Sequence, residues 1–281
     1  MHAIFNDFLQ RLDPKPVRLW SLIATFYGDS ILPRGGEVWL GTTTKLCALV
    51  GIEAGAVRAA MSRLARDGFL TRRRVGRTSH YALSQSARAR SEHAAGLIYR
   101  RTSLQHAAGW SLAVLQNPTP ESRSRLDDLG YRPAAGALFA RPSDGQGDIR
   151  HPLTDDAIFL MARGDDKALA CLVYPIEAIA RQYLAFVDAL PVLSSHASTA
   201  DPDTSIVMRL ALVHAFRRVA LRDPHLNANA LPKDWPADAA HAAFFDTYCA
   251  LRPMADAWLQ EHAVNARGPL PAPPAETRFA A

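Results

Sequence analysis

Residues 42–83 read TTTKLCALV, GIEAGAVRAAMSRLARDG and FLTRRRVGRTSHYAL, and the order of these three segments decides how the N-terminal third of the chain folds. The first segment, residues 42–50, and the second, residues 52–67, have the composition of two short helices separated by Gly51. The third segment, residues 69–83, alternates its side chains around a central glycine, which predicts a β-hairpin.

Two helices followed by a basic hairpin are the layout of a winged helix-turn-helix, whose second helix enters the major groove of DNA. One side of the predicted second helix carries apolar residues at helical spacing: Ile52, Val57, Met61 and Leu64. The opposite side carries small residues, which allow close approach to base edges, and one arginine, which can form two hydrogen bonds with guanine. We therefore expect Arg58 and Ser62 to contact bases.

Phosphate contacts are expected around that face, because basic and hydroxyl side chains flank it in the sequence. They are Thr42, Thr43 and Lys45 in the first helix, Arg63 and Arg66 beside the recognition face, and Arg72, Arg73, Arg74, Arg77 and Thr78 in the hairpin. Four arginines around one turn would give affinity that is independent of sequence and falls steeply with salt. A solvated basic helix face is the alternative, and the equally basic hairpin directly after the helix disfavours it.

The charge is distributed unevenly along the 281 residues, a length that suits about two domains. The net charge is +5, but residues 1–101 hold 16 Lys and Arg against 7 Asp and Glu. The remaining 180 residues hold 16 against 20. A basic N-terminal module on a slightly acidic remainder is typical of a DNA-binding domain attached to a domain with another task.

The composition predicts a cytoplasmic protein that does not bind membranes. The first 14 residues contain Asp7 and Arg11 and lack an apolar stretch of signal-peptide length. No apolar run approaches the ~18 residues that a membrane span needs. The three cysteines, Cys47, Cys171 and Cys249, show no CxxC pairing and are expected to be small buried apolar side chains.

The whole chain is predicted to be an α+β protein with three consecutive domains and a tail. Residues 1–101 hold the winged helix-turn-helix and a connector helix, Ser84 to Arg101. Residues 102–195 alternate strands and helices, including a predicted strand at Ala168–Val173, in an order that fits a ferredoxin-like unit. Residues 196–265 form a helical C-terminal domain, and the Pro- and Ala-rich residues 266–281 are expected to be disordered.

Several strings resemble the PaaX family of repressors of phenylacetate catabolism genes. They are SLIATFYGDSILPRGGEVWL (residues 21–40), VRAAMSRL (57–64), RRVGR (73–77), HAFRRVALRDPHL (214–226) and LPKDWP (231–236). The resemblance implies a winged-helix N-terminal domain, a middle domain similar to the small ferredoxin-like nuclease of CRISPR systems, and a helical C-terminal domain. It also implies release from operator DNA by phenylacetyl-CoA.

The resemblance of the middle domain raises a metal-dependent nuclease as an alternative function. Such a nuclease needs a metal-binding carboxylate at the end of the first strand. That predicted strand, Trp110 to Leu115, is followed by Gln116 and Asn117, and neutral amides anchor metals poorly. The chain also lacks the HExxH, GxSxG and phosphate-loop motifs of common enzyme classes. We therefore expect no catalytic residues, no metal and no cofactor.

An acyl-CoA effector is expected to contact a basic cluster late in the chain: His214, Arg217, Arg218 and Arg222. Arginines can grip CoA phosphates with two hydrogen bonds. Two alternatives stay open, a buried histidine bonded within the core and arginines paired with acidic side chains. The predicted protein is a homodimeric repressor that binds double-stranded operator DNA and responds to phenylacetyl-CoA, or to an effector from another aromatic or acyl-CoA pathway.

Overall fold

A computed structural model describes residues 2–102, 109–143, 157–162, 164–273 and 279 of the chain. The protein divides into two compact units. The first unit combines Met1–Thr102, Gln182–Leu221 and Asp238–Ala281, and the second combines Ser103–Arg181 and Arg222–Ala237. This division differs from the three consecutive domains expected from the sequence, because the N-terminal and C-terminal segments share one unit.

The first unit begins with five helices and three strands in this chain order: α1 His2–Leu12, α2 Leu19–Phe26, β1 Glu37–Trp39, α3 Leu40–Leu49, α4 Ala54–Arg66, β2 Leu70–Val75, β3 Thr78–Leu83 and α5 Gln85–Ile98. Helix α2 continues as a π-helical turn, Tyr27–Ile31, and a 3₁₀ turn, Leu32–Arg34. The strands form an antiparallel sheet in the order β1-β3-β2. The predicted pair of helices and the hairpin are therefore present.

The second unit contains a four-stranded antiparallel sheet built from β4 Gly109–Leu115, β5 Arg132–Ala135, β6 Leu138–Ser143 and β7 Ala157–Ala162. Helix α6, Pro120–Asp128, connects β4 to β5, and the strand order is β5-β6-β4-β7. This mixture of helices and strands agrees with the predicted α+β class.

One predicted strand of this unit is wrong, because Ala168–Val173 lies in helix α7, Asp166–Val173. The side chain of Asp165 accepts a hydrogen bond from the backbone N–H of Ala168 at 2.9 Å and caps the helix. Alanine and leucine, which follow the cap, are strong helix formers. Cys171 on this helix is exposed, which corrects its expected burial.

The rest of the chain forms helices α8 Ile176–Ala189, α9 Pro191–Ser194, α10 Pro202–Ala220 and α11 Ala237–His262, and short strands β8 Val264–Asn265 and β9 Gly268–Pro269. Strands β8 and β9 pair with each other, and Leu270 behind them is buried. The prediction that disorder begins at residue 266 is therefore wrong for the first residues of the tail. Residues 274–278, 280 and 281 lie outside the described residues.

Helix α10 forms the centre of the first unit. Most of its 19 residues are buried, and it packs against α1, α2, α3 and α5. Its Phe216 ring stacks on Phe244 of α11 at 4.2 Å between centroids and lies 5.0 Å from the ring of Phe186 on α8. This aromatic cluster joins three C-terminal helices to one another.

A buried ion cluster links α10 and α11 to the N-terminal elements. Arg209 of α10, only 1% exposed, donates to Asp29 Oδ2 at 2.9 Å and to Asp256 Oδ1 at 2.7 Å. Arg34 donates to the same Asp256 oxygen at 2.7 Å. Burial lowers the pKa of Arg209, but Asp29, Tyr248 and Asp256 outweigh it, so the pKa is raised overall. The guanidinium therefore stays charged inside the protein.

Replacing Arg209 should destabilise the first unit strongly. Arg209→Ala leaves the Asp29 carboxylate buried without its ion-pair partner, which costs about 3–5 kcal/mol of unfolding free energy. Urea unfolding followed by circular dichroism at pH 7 measures this loss.

Arg218→Ala is the matched control, because Arg218 lies on the same helix but pairs with Asp13 with 42% of its side chain exposed. An exposed pair of this kind contributes at most about 1 kcal/mol. Equal losses in the two variants would show that the buried cluster has no special role in stability.

Candidate nucleic-acid interface

The turn between α3 and α4 fixes the start of the candidate recognition helix. Gly51 has a φ of +80°, a left-handed conformation that side chains with a Cβ adopt only with strain. The N–H groups of Gly51 and Ile52 donate to the carbonyls of Ala48 and Cys47 at 3.0 Å each. These two bonds form a Schellman motif, which ends α3 and turns the chain into α4.

Helix α4 has one buried side and one exposed side, as the sequence predicts. Val57 and Met61 are fully buried and Leu64 is 6% exposed, which confirms these three residues of the predicted core side, whereas Ile52 precedes the helix and is half-buried. On the opposite side the exposed residues are Gly55, Arg58, Ala59 and Ser62. A Cβ added to Gly55 would lie 3.9 Å from Arg58 Nη2, so this arginine extends over a position without a side chain.

Two further arginines border the exposed side of α4. Arg63 and Arg66 lie in its last turn and are exposed. Arg63 Nε lies 3.5 Å from Asp67 Oδ2, and both side chains are solvent-exposed. An exposed pair of this kind is weak, so Arg63 can exchange it for a phosphate.

The hairpin presents its arginines around a two-residue turn. Gly76 supplies a φ of +58° between β2 and β3. Arg72 donates to Ser79 Oγ at 2.9 Å, and Arg74 donates to the carbonyl of Gly76 at 3.1 Å. Together with the exposed Arg77, these residues place three guanidinium groups near one turn without a carboxylate partner among the described residues.

Arg73 differs from the other hairpin arginines because it forms an ion pair with Glu37 of β1. Its Nη2 donates to Glu37 Oε1 at 2.7 Å and its Nε donates to Oε2 at 3.1 Å. The hydrogen bond from Arg73 lowers the pKa of Glu37 below its ordinary value. The carboxylate compensates the charge of Arg73, so the expected phosphate contact is weaker for this residue than for its neighbours. The sequence did not reveal Glu37, because only the sheet pairing brings β1 within reach of β2.

The structure corrects the expected phosphate contacts at α3. Thr42 and Thr43 are each 1% exposed, and Thr42 Oγ1 donates to the carbonyl of His262 at 2.8 Å. Both hydroxyls face the interior, so neither can reach DNA. Lys45 is exposed, with its Nζ 3.1 Å from the ring nitrogens of His262. Thr78, also predicted as a phosphate contact, is half-buried and donates to the carbonyl of Val75 at 2.8 Å.

Two of the four residues predicted to bind an effector, His214 and Arg217, bond neighbouring groups of α2. His214 is buried and its Nδ1 lies 2.9 Å from Thr25 Oγ1, which agrees with the alternative of a histidine bonded within the core, and its contact with an effector stays a prediction. Arg217 donates to the carbonyl and hydroxyl oxygens of Ser21. Arg218 forms its ion pair with Asp13 at 2.6 Å. Arg222 is exposed and belongs to the second unit.

No metal-binding constellation emerges from the part of the chain that the structure describes. No three His, Cys, Asp or Glu side chains there are grouped in a way that could hold a metal ion. Within the same residues no single helix combines the length and the apolarity needed to cross a membrane. One pair of helices, Asp166–Val173 with Ile176–Ser194, reaches the required length and apolarity only when taken together, and it is bent by 78°. The surface built from α4 and the β2–β3 hairpin is the candidate site, because its predicted DNA-contacting arginines are exposed.

These features describe a protein with an exposed, arginine-bearing helix beside a basic hairpin, the class of surface that suits nucleic acid. Comparison with known proteins identifies the family. Residues 18–87 match the model described as PaaX-like protein, and residues 174–261 match the model described as PaaX-like protein C-terminal domain. The chain belongs to the PaaX family.

Individual relatives are similar over most of their length. The transcriptional repressor PaaX of Escherichia coli (strain K12) is 28% identical over 289 residues, which cover 95% of this chain and 92% of that protein. A solved structure, that of the uncharacterized protein Rv0674 from Mycobacterium tuberculosis, is 23% identical with a TM-score of 0.49. The match covers 77% of this chain and 89% of the Mycobacterium tuberculosis chain.

The buried His214 should make stability depend on pH. Burial first, and then the charges of Arg217 and Arg218, lower the pKa of His214 from 6.5 to about 3. Between these pH values the unfolded chain binds a proton that the folded chain does not. The contribution of His214 to the unfolding free energy is therefore fully present above pH 6.5 and is lost as the pH falls toward 3. At pH 5 the loss amounts to about 2 kcal/mol.

Urea unfolding of the wild type and of His214→Gln at pH 7.5 and pH 5.0 tests this expectation. Glutamine retains a hydrogen-bonding group for Thr25 but does not titrate, so the variant should lose about 2 kcal/mol less between the two pH values. If both proteins lose the same amount, His214 binds its proton in the folded state.

Proposed function

We propose that this protein is a transcriptional repressor that binds operator DNA through a winged helix-turn-helix formed by α3, α4 and the β2–β3 hairpin. One observation carries the proposal: the exposed side of α4 bears a single long side chain, Arg58, among small residues, directly beside a hairpin with several exposed arginines. Membership of the PaaX family and the similarity to a transcriptional repressor support it.

In this proposal α4 is the recognition helix and Arg58 contacts a base. A guanidinium group can donate to both O6 and N7 of guanine, and Gly55, Ala59 and Ser62 leave room for the helix to approach the groove floor. Arg63 and Arg66 are placed to contact phosphates on either side of the groove. Thr42 and Thr43 are left out of the interface because they are buried.

The hairpin is the wing, and its role is phosphate binding. Arg72, Arg74 and Arg77 contribute most of the affinity that is independent of sequence, because each phosphate contact releases condensed counterions. Arg73 contributes less, because its charge is shared with Glu37.

The second unit is proposed to be ferredoxin-like. Counted along the chain, its four strands take the order 2-3-1-4 in the sheet, all neighbours are antiparallel, and a helix connects the first two strands. This order supports that fold. Residues 144–156, between the third and fourth strands, lie outside the described part of the chain.

We further propose that the protein acts as a homodimer on a near-palindromic operator. Helix-turn-helix dimers place their recognition helices in successive major grooves, about 34–36 Å apart. An effector that changes this spacing would release the DNA. The difference between the affinities of the effector for the DNA-binding and the released conformation limits how far it can shift the equilibrium between them.

The regulated pathway is proposed to be phenylacetate catabolism, with phenylacetyl-CoA as the effector. The resemblance to the PaaX family supports this, and regulation of another aromatic or acyl-CoA pathway is the alternative. No catalytic residue is assigned to the protein.

Arg58 should determine base preference. On the best site selected from random duplex DNA, Arg58→Ala should reduce the binding free energy by about 1–3 kcal/mol and relax the preference at one base pair. Fluorescence anisotropy on the selected site and on its single-base variants measures both effects. Equal weakening on all sequences would instead make Arg58 a phosphate contact.

In contrast to Arg58→Ala, the double variant Arg72→Ala/Arg74→Ala should change the affinity and leave the base preference unchanged. It should weaken binding to every sequence and lower the slope of log affinity against log salt by about one for each lost phosphate contact. A salt slope equal to that of the wild type would show that Arg72 and Arg74 do not contact DNA phosphates, which would contradict the proposed role of the hairpin.

Phenylacetyl-CoA should release the selected DNA, and free phenylacetate should not, because the proposed effector is the thioester. Competition in the anisotropy assay with phenylacetyl-CoA, acetyl-CoA and phenylacetate tests this expectation. Release by phenylacetate alone would exclude a CoA thioester as the required form. Stronger release by another acyl-CoA would favour the alternative pathway.

A further inference from the structure

A small cavity, partly open to solvent, lies in the first unit between helix α10 and the N-terminal helices. Its volume is about 60 Å³, and its lining residues come from α2, the following π-helical turn, α5 and α10. They include Thr25, Gly28, Ala94, Ala95, Val213 and Arg217. Because a water molecule occupies about 30 Å³ in the liquid, the cavity has room for a group as small as a carboxylate or a phosphate.

Arg217 is the basic residue among the lining side chains, and it has no counterion among the described residues. Its Nη2 donates to the carbonyl and hydroxyl oxygens of Ser21, which are neutral acceptors. Its Nε is buried and has no hydrogen-bond partner. Two other arginines of the same unit, Arg34 and Arg209, are buried and bonded to carboxylates. Arg217 therefore differs from both in lacking an anionic partner.

Asp29 also lines the cavity, but its carboxylate already has partners on both oxygens. Oδ1 accepts from Tyr99 at 2.7 Å and from Tyr248 at 3.1 Å. Oδ2 accepts from Ser30 at 2.8 Å and from Arg209 at 2.9 Å. With Arg209 beside it, Asp29 is neutralised and does not serve as the counterion of Arg217.

The electrostatics of Arg217 agree with this bonding. Burial lowers the pKa of Arg217, and the neighbouring charge of Arg218 lowers it further. Arginine nevertheless remains protonated in proteins, so a half-buried positive charge lines the cavity. Partial burial of an unpaired charge is unfavourable, and an anion in the cavity would supply the missing pair.

We propose that this cavity is an oxyanion-binding site in which Arg217 binds a carboxylate- or phosphate-sized group. The free Nε and a terminal nitrogen of the guanidinium can donate in parallel to two oxygens of such a group. The oxyanion comes either from a phosphate of the CoA effector or from a free anion in the cell.

Occupancy of this site would act on the contact between α10 and α2. Arg217 of α10 now holds Ser21 of α2, and α2 packs against the candidate recognition helix α4. An anion that competes for the guanidinium weakens this contact and so provides a route from the ligand to the DNA-binding surface. This regulatory part rests on the proposed repressor function, whereas the anion site itself does not.

Thermal unfolding of the full chain tests the site without DNA. Inorganic phosphate or acetate at about ten times its dissociation constant should raise the Tm by about 2–4 °C relative to chloride at equal ionic strength, because the anion binds the folded state. Arg217→Gln should abolish this rise. Ala95→Leu, which fills the cavity and leaves Arg217 in place, should abolish it as well.

Arg218→Gln is the matched control, since Arg218 is the adjacent residue on α10 and its charge is paired with Asp13. This variant should keep the wild-type rise. The proposal is overturned if neither anion raises the Tm of the wild type, or if Arg217→Gln and Ala95→Leu respond as the wild type does. A cooperative unfolding transition in each variant shows that it is folded.

Two further ligands distinguish the source of the oxyanion. A CoA phosphate as the source predicts that phenylacetyl-CoA raises the Tm at least tenfold more potently than phenylacetyl-dephospho-CoA, and that Arg217→Gln removes the difference. Equal potency of the two thioesters, with the phosphate or acetate effect retained, assigns the site to a free anion. If anions bind but never change DNA affinity, the anion site stands and the proposed ligand control through it fails.

Discussion

The buried cluster of Asp29, Arg34, Arg209 and Asp256 is the constraint on which the first unit depends. A desolvated charge is stable only when its partners are held in place, and here the partners come from opposite ends of the chain, separated by up to 222 residues. Tyr99 and Tyr248 complete the hydrogen bonds of Asp29. The N-terminal elements and helices α10 and α11 must therefore fold together, which explains why the first unit draws on three separate segments.

This arrangement connects the candidate DNA-binding surface to the C-terminal helices. Helix α10 packs against α1, α2, α3 and α5, and α2 packs in turn against α4. Closely packed helices transmit small displacements, because their side chains interlock and cannot deform freely. A ligand that acts on α10 therefore needs only one intervening helix to affect the proposed recognition helix. Arg217, with its neutral partners on α2, and His214, bonded to Thr25, are polar contacts on that route.

The surface arginines of the first unit fall into two groups, those with a carboxylate partner and those without one among the described residues. Arg73 is paired with Glu37, and Arg218 is paired with Asp13. Arg72, Arg74 and Arg77 surround the hairpin turn without such partners among the described residues, and Arg58 lies alone among small residues on α4. Exposed guanidinium groups without a carboxylate partner suit phosphate binding, whereas paired ones chiefly stabilise the fold. The same residue type therefore has different proposed roles within one hairpin.

The sequence by itself determined the features that depend on local periodicity and on glycine. The two helices, the hairpin and the buried side of α4 follow from apolar spacing and from turns that Gly51 and Gly76 permit. The tertiary structure decided whatever depends on distant segments. Thr42 and Thr43 are buried, His214 bonds Thr25, and Arg217 and Arg218 bond Ser21 and Asp13, because each partner lies in a remote part of the chain. The prediction of a strand at Ala168–Val173 was wrong for a local reason, because a short apolar run fits a strand or a helix equally well. The structure decides for a helix, whose first turn donates a hydrogen bond from the N–H of Ala168 to the side chain of Asp165. Burial and ion pairing are properties of the folded chain, and no pattern within one segment encodes its partner.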